Sequence, residues 1–171
     1  MIPEFVARLR QSIGPDELLW LPGVNAVVFD DAGRVLLQQK SADREWSILS
    51  GILDPGENPA DGLCREIWEE TGVVATVDRL VSITVSPVRA HRNGDRAQYL
   101  ELTFRCTAVD GVARVNDDES DAVAWFAVDD LPTMESLAHK KIALAAGNDP
   151  VPWFEPSAWM PVLADDRAAH R

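Results

Sequence analysis

The stretch "GILDPGENPADGLCREIWEETGV", residues 51–73, predicts one helix whose two ends are marked by its own residues. Asn58 is a favourable N-cap, and Pro59 is a favourable first helical residue. Gly72 suits the position just after the last turn, where the backbone often turns left-handed. We therefore expect a single helix that begins at Pro59 and ends just before Gly72.

Three glutamates crowd one side of this helix. At about 100° per residue, Glu66, Glu69 and Glu70 fall within an arc of roughly 100°. Like charges one turn apart destabilise a helix by a few tenths of a kcal/mol per pair. The glutamates border an apolar arc of roughly 140°, so we expect them at the margin of the core, where repulsion is stronger. That arc consists of Ala60, Leu63, Cys64, Ile67 and Trp68.

A divalent cation would offset this repulsion, because carboxylate oxygens are hard ligands of the kind that Mg²⁺ and Mn²⁺ prefer. Gly62 projects between Glu66 and Glu69 and is expected to leave space beside them, although a mid-helix glycine costs ~1 kcal/mol relative to alanine. Arg65 projects next to Glu69, and Glu57 reaches the same place if its loop folds back. Taken alone, "EIWEE" favours the other interpretation, a solvated acidic helix face.

Composition limits the possible functions. The chain has 171 residues, a formal net charge of −12 and a pI near 4.5, which argues against binding long nucleic acid. No apolar run approaches the ~18 residues of a membrane span, and the N-terminus lacks a secretory signal, so we expect a cytoplasmic protein with no membrane partner. Cys64 and Cys106 are expected to be buried thiols, and the lack of a CxxC pair argues against zinc.

The rest of the chain predicts mainly strands. Residues 23–40 read as strand, turn and strand, and the β-branched tract 73–88 reads as one long or two short strands. Further strands are expected within 91–109 and 121–128, and a second helix within 134–147. This order predicts a layered α/β or α+β domain with a mixed sheet covered by helices.

Two segments flank the expected body at 19–147. Residues 1–18 contain an amphipathic helix with Phe5, Leu9 and Ile13 on one face. Residues 148–171 form a tail whose first half is expected to dock on the body and whose last ten or so residues are expected to be mobile. The helix and the tail tryptophans either form a homodimer interface or cap the core of a monomer.

Residues 51–73 resemble the Nudix box, G-x5-E-x7-R-E-U-x-E-E-x-G-U, in which U is aliphatic. Every defined position is filled, in order, by Gly51, Glu57, Arg65, Glu66, Ile67, Glu69, Glu70, Gly72 and Val73. The resemblance covers roughly residues 20–135. It departs at "WSILSG", where Leu49 and Ser50 replace the usual proline and glycine.

The resemblance implies an α/β/α sandwich that hydrolyses a nucleoside diphosphate linked to another moiety, with Mg²⁺ or Mn²⁺. It assigns metal ligation to Glu66, Glu69 and Glu70, with the Gly51 carbonyl as a further candidate ligand. Glu57 corresponds to a ligand or to the support for one. Arg65 corresponds to the residue that orients the carboxylates.

The residue that activates water is open at this point. Glu66 or Glu70 is one candidate, since each can accept a proton as well as ligate. In some relatives an acid in the loop before the late strand takes this role, and "NDDES" supplies Asp117, Asp118 and Glu119, of which we select Glu119. The alternative for that loop is an ordinary polar turn.

A local basic cluster in this acidic chain suggests where substrate phosphates bind. Arg89, His91, Arg92 and Arg96 flank an Asn93-Gly94 turn, which is also compatible with a solvated hairpin tip. Trp46 and Tyr99 are candidates for stacking on a base, and Trp46 alternatively packs against the loop.

The resemblance slightly favours ADP-ribose or another sugar nucleotide over nucleoside triphosphates, with Pro87 near a proline typical of ADP-ribose-cleaving members. The alternatives are a MutT-like nucleoside triphosphate pyrophosphohydrolase, a Nudix-like nucleotide sensor without catalysis, and an interaction protein with an acidic helix.

Overall fold

The computed structural model describes residues 3–42, 44–90 and 94–158. The helices are α1 (Glu4–Ile13), α2 (Pro59–Thr71) and α3 (Ser136–Ala146). The strands are β1 (Leu19–Phe29), β2 (Val35–Lys40), β3 (Trp46–Ser47), β4 (Leu49–Ile52), β5 (Val73–Val85), β6 (Arg89–Ala90), β7 (Arg96–Gly111), β8 (Ser120–Phe126) and β9 (Trp153–Phe154).

Strand β1 lies in the middle of the sheet and pairs with strands on both of its sides. On one side it pairs with β7 in parallel along its whole length, from Leu19 opposite Ala97 to Phe29 opposite Thr107. Beyond β7 the order continues with antiparallel β5 and then β9. The described strands therefore form the mixed sheet that the sequence predicts.

On its other side β1 divides its pairing between two strands. It pairs with β2 only where Phe29 lies opposite Val35, beside the predicted turn. Farther back it pairs with β4, with Val24 opposite Gly51 and Asn25 opposite Ser50. The predicted strand–turn–strand unit therefore exists, but its two strands separate after the turn.

Helices cover both faces of this sheet. Alternate residues of a strand point to opposite faces, and Val24, Ala26 and Val28 pack with Leu63 and Ile67 of α2. Residues of the opposite parity pack with α3 and α1 in two further clusters, which contain Val27, Phe29 and Ile142, and Leu19, Leu21 and Val6, respectively. This arrangement confirms the expected α/β/α layers.

Helix α2 has the predicted ends but a narrower apolar face. Gly72 adopts the left-handed conformation (φ 68°) and its N–H donates to the Trp68 carbonyl. Asn58 occupies the N-cap position, yet its side chain donates to Asp61 Oδ2 (3.2 Å) instead of capping the backbone. Ala60 and Trp68 are exposed, Trp68 by 54%, so the buried arc is centred on Leu63 and Ile67.

The predicted apolar face of α1 is present only in part. Phe5 is half-buried and packs with Val6 against Leu19 and Leu21, whereas Leu9 and Ile13 are exposed by 41% and 43%. The buried side of the helix is therefore centred on Val6 near its start and does not extend along the Phe5–Leu9–Ile13 row. Arg10 fixes the end of this helix by donating to the carbonyls of Gly14 (2.7 Å) and Glu17 (2.8 Å).

The first part of the tail contacts the body. Strand β9 pairs with β5, with Trp153 opposite Ser82, and the Lys140 ammonium lies 3.3 Å from the centre of the Trp153 ring. Residues 159–171, which include the end expected to be mobile, lie outside the described residues. None of the described helices has the length and hydropathy to cross a membrane.

Candidate active site

A cleft of about 360 Å³ opens between the β1–β4 part of the sheet and the start of α3. Its lining includes Gly51, Glu66 and Glu70 of the Nudix-box segment. Asn25, Glu101 and Lys141 also line it, from the sheet face that α3 covers. The cleft thus joins the predicted cation site to a second group of polar side chains.

Gly51 and Glu66 are in direct contact across the gap between β4 and α2. A Cβ atom on Gly51 would overlap Cγ and Cδ of Glu66, so a side chain at this position would displace the carboxylate. The glycine therefore sets where the Glu66 carboxylate lies.

Arg65 binds three carboxylates at once. Its Nε and Nη2 donate to the two oxygens of Glu57 (2.9 and 3.1 Å), and its Nη1 donates to Glu66 Oε1 (3.1 Å) and Glu69 Oε2 (3.0 Å). Paired, charge-assisted bonds of this kind are short and directional. The Arg65 guanidinium thus offsets part of the negative charge of the glutamate cluster.

The space that Gly62 provides is filled by Glu57 rather than left open beside Glu66 and Glu69. A Cβ on Gly62 would lie 2.6 Å from Glu57 Oε2 and 2.6 Å from Leu53 Cδ2. The loop before α2 therefore folds back, and Glu57 also accepts from the Asp54 N–H (3.1 Å). The prediction of open space beside Glu66 and Glu69 is wrong. A helix projection shows only the residues of the helix, so it did not reveal that the preceding loop places Glu57 there.

Glu70 sits in an enclosed polar pocket. Gln38 Nε2 donates to Glu70 Oε2 (3.2 Å), and Ser120 Oγ in turn donates to Gln38 Oε1 (2.8 Å). Burial raises the pKa of the Glu70 carboxyl to about 8, although nearby Lys40 lowers it. Glu70 is therefore a carboxyl that can hold a proton near neutral pH.

The other glutamates differ in electrostatics because their surroundings differ. Burial raises the pKa of Glu66, against the lowering effect of Arg65. The hydrogen bonds from Arg65 lower the pKa of Glu57 below its usual range. The cluster thus combines an ionised support, Glu57, with two carboxyls that burial makes costly to ionise.

The residues suit a hard divalent cation in chemistry but do not form a ready-made cage. Within 3–42, 44–90 and 94–158, no group of three or more His, Cys, Asp or Glu side chains is placed to hold a metal ion. Arg65 forms ion pairs with Glu57, Glu66 and Glu69. Glu66, Glu70 and the Gly51 backbone nevertheless line one cleft, and a cation there would relieve the cost of ionising both carboxyls.

The predicted substrate residues divide into two groups. Trp46, Tyr99 and Arg89 line the cleft, as does the candidate base Glu119, whereas Arg96 does not. Arg89 is ion-paired with Glu135 (3.0 Å) at the rim. Arg92, His91 and Asn93 lie outside the described residues. Trp46 packs edge-on against Phe126, with ring centres 4.8 Å apart.

A model of the NUDIX domain matches residues 19–146, which is most of the chain. The chain belongs to the NUDIX domain family. Its Nudix box is the segment that carries Gly51, Arg65 and the clustered glutamates.

Two proteins with similar sequences are a MutT-like protein and a putative ADP-ribose pyrophosphatase. A MutT-like protein from Streptomyces ambofaciens is 34% identical over 108 residues, covering 63% of this chain and 64% of that protein. A putative ADP-ribose pyrophosphatase from Bacillus subtilis is 28% identical over 111 residues, covering 65% and 52%. The chain thus spans between half and two thirds of the length of these two relatives.

Solved structures agree with the NUDIX fold. An ADP-ribose pyrophosphatase from Streptococcus suis superposes with a TM-score of 0.58 at 26% identity, covering 74% of this chain and 89% of that one. A UDP-X diphosphatase superposes with a TM-score of 0.60 over 83% of this chain, at 24% identity. The second likeness concerns the fold alone.

Several polar residues of the NUDIX cleft were not predicted from the sequence. Lys40 donates to Ser50 Oγ (3.3 Å), one of the two positions where the loop departs from the usual motif. Asn25, Glu101 and Lys141 come from β1, β7 and α3, far apart in the chain. Only the pairing of β1 with β7 brings the first two together, and no local sequence pattern signals that pairing.

Proposed function

We propose that this chain hydrolyses the pyrophosphate bond of a nucleoside diphosphate linked to another moiety, in a reaction that depends on Mg²⁺ or Mn²⁺. ADP-ribose or another sugar nucleotide is the favoured substrate. The observation that carries the proposal is a fully matched Nudix box whose Gly51, Glu66 and Glu70 line one cleft. The ADP-ribose pyrophosphatase names of one relative and one structural neighbour support the substrate class.

Glu66, Glu70 and the Gly51 carbonyl would hold the cation, with Glu69 joining them when Arg65 releases it. Glu57 remains the support that keeps Arg65 in place through two hydrogen bonds. A bound divalent ion neutralises phosphoryl oxygens and lowers the pKa of water. Because burial raises the pKa of Glu66 and Glu70, the cation would compete with protons for these carboxyls and would stabilise their ionised forms once bound.

Three carboxyls that line the cleft are candidates for the proton acceptor in water activation: Glu66, Glu70 and Glu119. Glu66 and Glu70 would also hold the cation, which would lower the pKa of each carboxyl, so either would combine ligation with proton transfer. Glu119, on the loop before β8, would accept the proton without holding the cation. Glu119→Gln should therefore lower kcat while Mn²⁺ still raises the melting temperature, whereas Glu66→Gln or Glu70→Gln should also weaken the effect of Mn²⁺.

We propose that basic side chains of the β6–β7 hairpin bind the substrate phosphates. Arg89 is the best placed, since it lines the cleft and is held by Glu135 at the rim. Arg92 and Arg96 are weaker candidates for binding the phosphates. Trp46 and Tyr99 supply the aromatic surface on which a base can rest.

A substrate panel tests the proposal. The protein is incubated with ADP-ribose, nucleoside diphosphate sugars and nucleoside triphosphates, each with Mg²⁺ or Mn²⁺, and the products are separated by chromatography. We expect ADP-ribose to give AMP and ribose 5-phosphate. Greater release of pyrophosphate from triphosphates identifies the MutT-like alternative, and no hydrolysis of any compound rejects the enzymatic function.

Two controls separate the remaining alternatives. Glu70→Gln is expected to abolish turnover with an unchanged circular dichroism spectrum, whereas a sensor binds nucleotide without turnover even in the parent protein. Mn²⁺ should raise the melting temperature, because a ligand of the native state stabilises it by mass action. An acidic interaction protein shows no such rise. Light scattering distinguishes the two oligomeric alternatives, a homodimer and a monomer.

A further inference from the structure

The lining of the cleft contains a buried ion pair on the sheet face that α3 covers. Lys141 Nζ donates to Glu101 Oε2 at 2.7 Å, and the two side chains are only 5% and 11% exposed. Thr84 Oγ1 lies 3.3 Å from the same oxygen. Burying two charges carries a desolvation cost, and well-packed apolar residues can replace such a pair without loss of stability. The contribution of this pair to stability therefore does not explain its presence.

Asn25 adds an unpartnered donor to the same lining. Its residue is 5% exposed, and its Nδ2 has no hydrogen-bond partner in the described structure. Leaving a buried donor unpaired is costly, so an acceptor from outside the chain would stabilise it. Asn25 lines the cleft but its Nδ2 is shielded from solvent, so a turn of the side chain would present this donor to a bound ligand.

The sheet register places these groups side by side. Asn25 lies opposite Thr103 and Gly23 lies opposite Glu101, so Asn25 and Glu101 occupy diagonal positions on one face. Gly23 adds no side chain between them, and the position of its missing Cβ lies 3.5 Å from Tyr99 Cβ and 3.8 Å from the Gly51 carbonyl oxygen. Gly51 of β4 is two strands away from Glu101, about 10 Å at the usual strand spacing. An extended nucleotide spans such a distance from its phosphate to its base.

The chemistry of these groups fits a nucleobase edge better than a phosphate. The Glu101 carboxylate accepts hydrogen bonds and would repel an anion, whereas Lys141 and Asn25 donate. Bases present donors and acceptors next to each other, and Glu, Lys and Asn are the side chains that read such edges. Trp46 and Tyr99 on the same lining offer surface to a flat ring.

We propose that the buried Glu101–Lys141 pair and the Asn25 amide recognise the hydrogen-bonding edge of the substrate's nucleobase, a role that rests on the proposed function. These residues determine which base is accepted. Glu66 and Glu70 would act on the pyrophosphate whichever base is bound.

Binding rather than turnover tests this assignment. Affinities of the metal-free protein for AMP, GMP, CMP and UMP are measured by calorimetry, with ribose 5-phosphate as the ligand without a base. We expect the wild type to prefer one nucleotide over the weakest by about tenfold or more, as sites built to hydrogen-bond a ligand do. Equal binding of all four, or equally tight binding of ribose 5-phosphate, overturns the proposal.

Two variants probe the site, and a third serves as a matched control. Asn25→Val is expected to reduce the base preference to within about threefold and to raise the melting temperature, because it removes the unpaired donor. Glu101→Leu combined with Lys141→Met leaves no unpaired charge and should reduce the preference equally. Thr103→Val removes another buried, unpartnered group, which does not line the cleft, and should leave the preference unchanged.

The outcomes separate this inference from the proposed function. An unchanged base preference in Asn25→Val overturns the inference even if hydrolysis is normal, and so does an equal loss in Thr103→Val. A protein that shows the base preference but hydrolyses nothing in the panel disproves the enzymatic function and leaves base recognition intact. If the paired variant does not fold, Asn25→Val decides.

Discussion

Glu66 occupies the place where a side chain at position 51 would lie, so the geometry of one glutamate depends on one glycine. The same contact explains why the first position of the Nudix box is a glycine here. Its φ is not in the left-handed region, so close approach rather than backbone conformation requires it.

Gly51→Ala should therefore impair activity more than folding. The added methyl displaces the Glu66 carboxylate, and an error of about 1 Å in a reacting group can cost roughly 100-fold in rate. The overpacking should lower the free energy of unfolding by about 1–3 kcal/mol. Steady-state kinetics and urea unfolding measure the two effects.

Gly147→Ala is the matched control for Gly51→Ala. Its new Cβ would make only ordinary contacts of 3.5 and 3.6 Å, at the end of α3. It should retain both activity and stability. Wild-type kinetics in Gly51→Ala would contradict the assigned position of Glu66.

Glu70→Gln should stabilise the metal-free protein increasingly as pH rises. The Glu70 carboxyl has a pKa of about 8 in the folded protein, against 4.5 for an unperturbed glutamate. Between these two pH values the folded state retains a proton that the unfolded state has lost. The stabilisation associated with that proton is complete below pH 4.5 and is lost as pH rises through 8. Glutamine cannot ionise and avoids this loss.

The measurement is thermal unfolding in chelator at pH 5 and pH 9. The melting temperature of Glu70→Gln minus that of wild type should be several degrees larger at pH 9, since about 1 kcal/mol corresponds to roughly 2–4 °C for a chain of this size. A difference that does not change with pH would show that Glu70 is not held in a desolvating pocket.

At the scale of elements, the loop and helix of the Nudix box form one interlocked unit. Glu57 fills the space beside Gly62, accepts from the Asp54 N–H and receives two hydrogen bonds from Arg65. Helix α2 therefore holds the loop before it as well as the glutamates on its own surface.

Gly62→Ala sets two effects against each other. Alanine should gain about 1 kcal/mol in helix propensity. Its Cβ would lie 2.6 Å from both Glu57 Oε2 and Leu53 Cδ2, and overpacking typically costs about 1–3 kcal/mol. We expect a net loss of stability in urea unfolding, together with lower activity because Glu57 no longer holds Arg65.

A second substitution checks the cause of that loss. Leu53→Ala removes one of the two clashing groups, so Gly62→Ala should cost less in the Leu53→Ala background than in wild type. Additive effects of the two substitutions would mean that crowding against Leu53 is not responsible.

The elements were predictable where their signals are local. Pro59 and Gly72 bound α2 in the sequence and in the structure because each has a direct backbone preference. The buried side of α1 was predictable only in part, because the helical spacing indicated Phe5 but not Val6, which is buried through its contacts with Leu19 and Leu21. Likewise, Asn25 and Glu101 meet only through the distant β1–β7 pairing.

At the scale of the whole molecule, the two thiols report on the integrity of the core. Cys106 is fully buried between the sheet and α2, and Cys64 donates to the Ala75 carbonyl at 3.3 Å. Burial raises the pKa of both thiols, which keeps them in the unreactive protonated form.

A disulfide reagent should therefore modify the native protein slowly at pH 8 and both thiols quickly in urea. Cys64 should react first, since it is the less buried of the two. Labelling of Cys106→Ala assigns the faster phase to Cys64. Rapid modification of Cys106 in the native protein would contradict its burial in the core.

The long β1–β7 pairing also has a consequence for synthesis. Phe29 and its neighbours leave the ribosome well before Thr107, their pairing partner, has been made. At roughly 5–20 residues per second, the hydrophobic strand "LWLPGVNAVVF" waits several seconds for that partner. Because non-local pairing of this kind also slows folding, the nascent chain passes through a period in which its most central strand is the one most exposed to association with other chains.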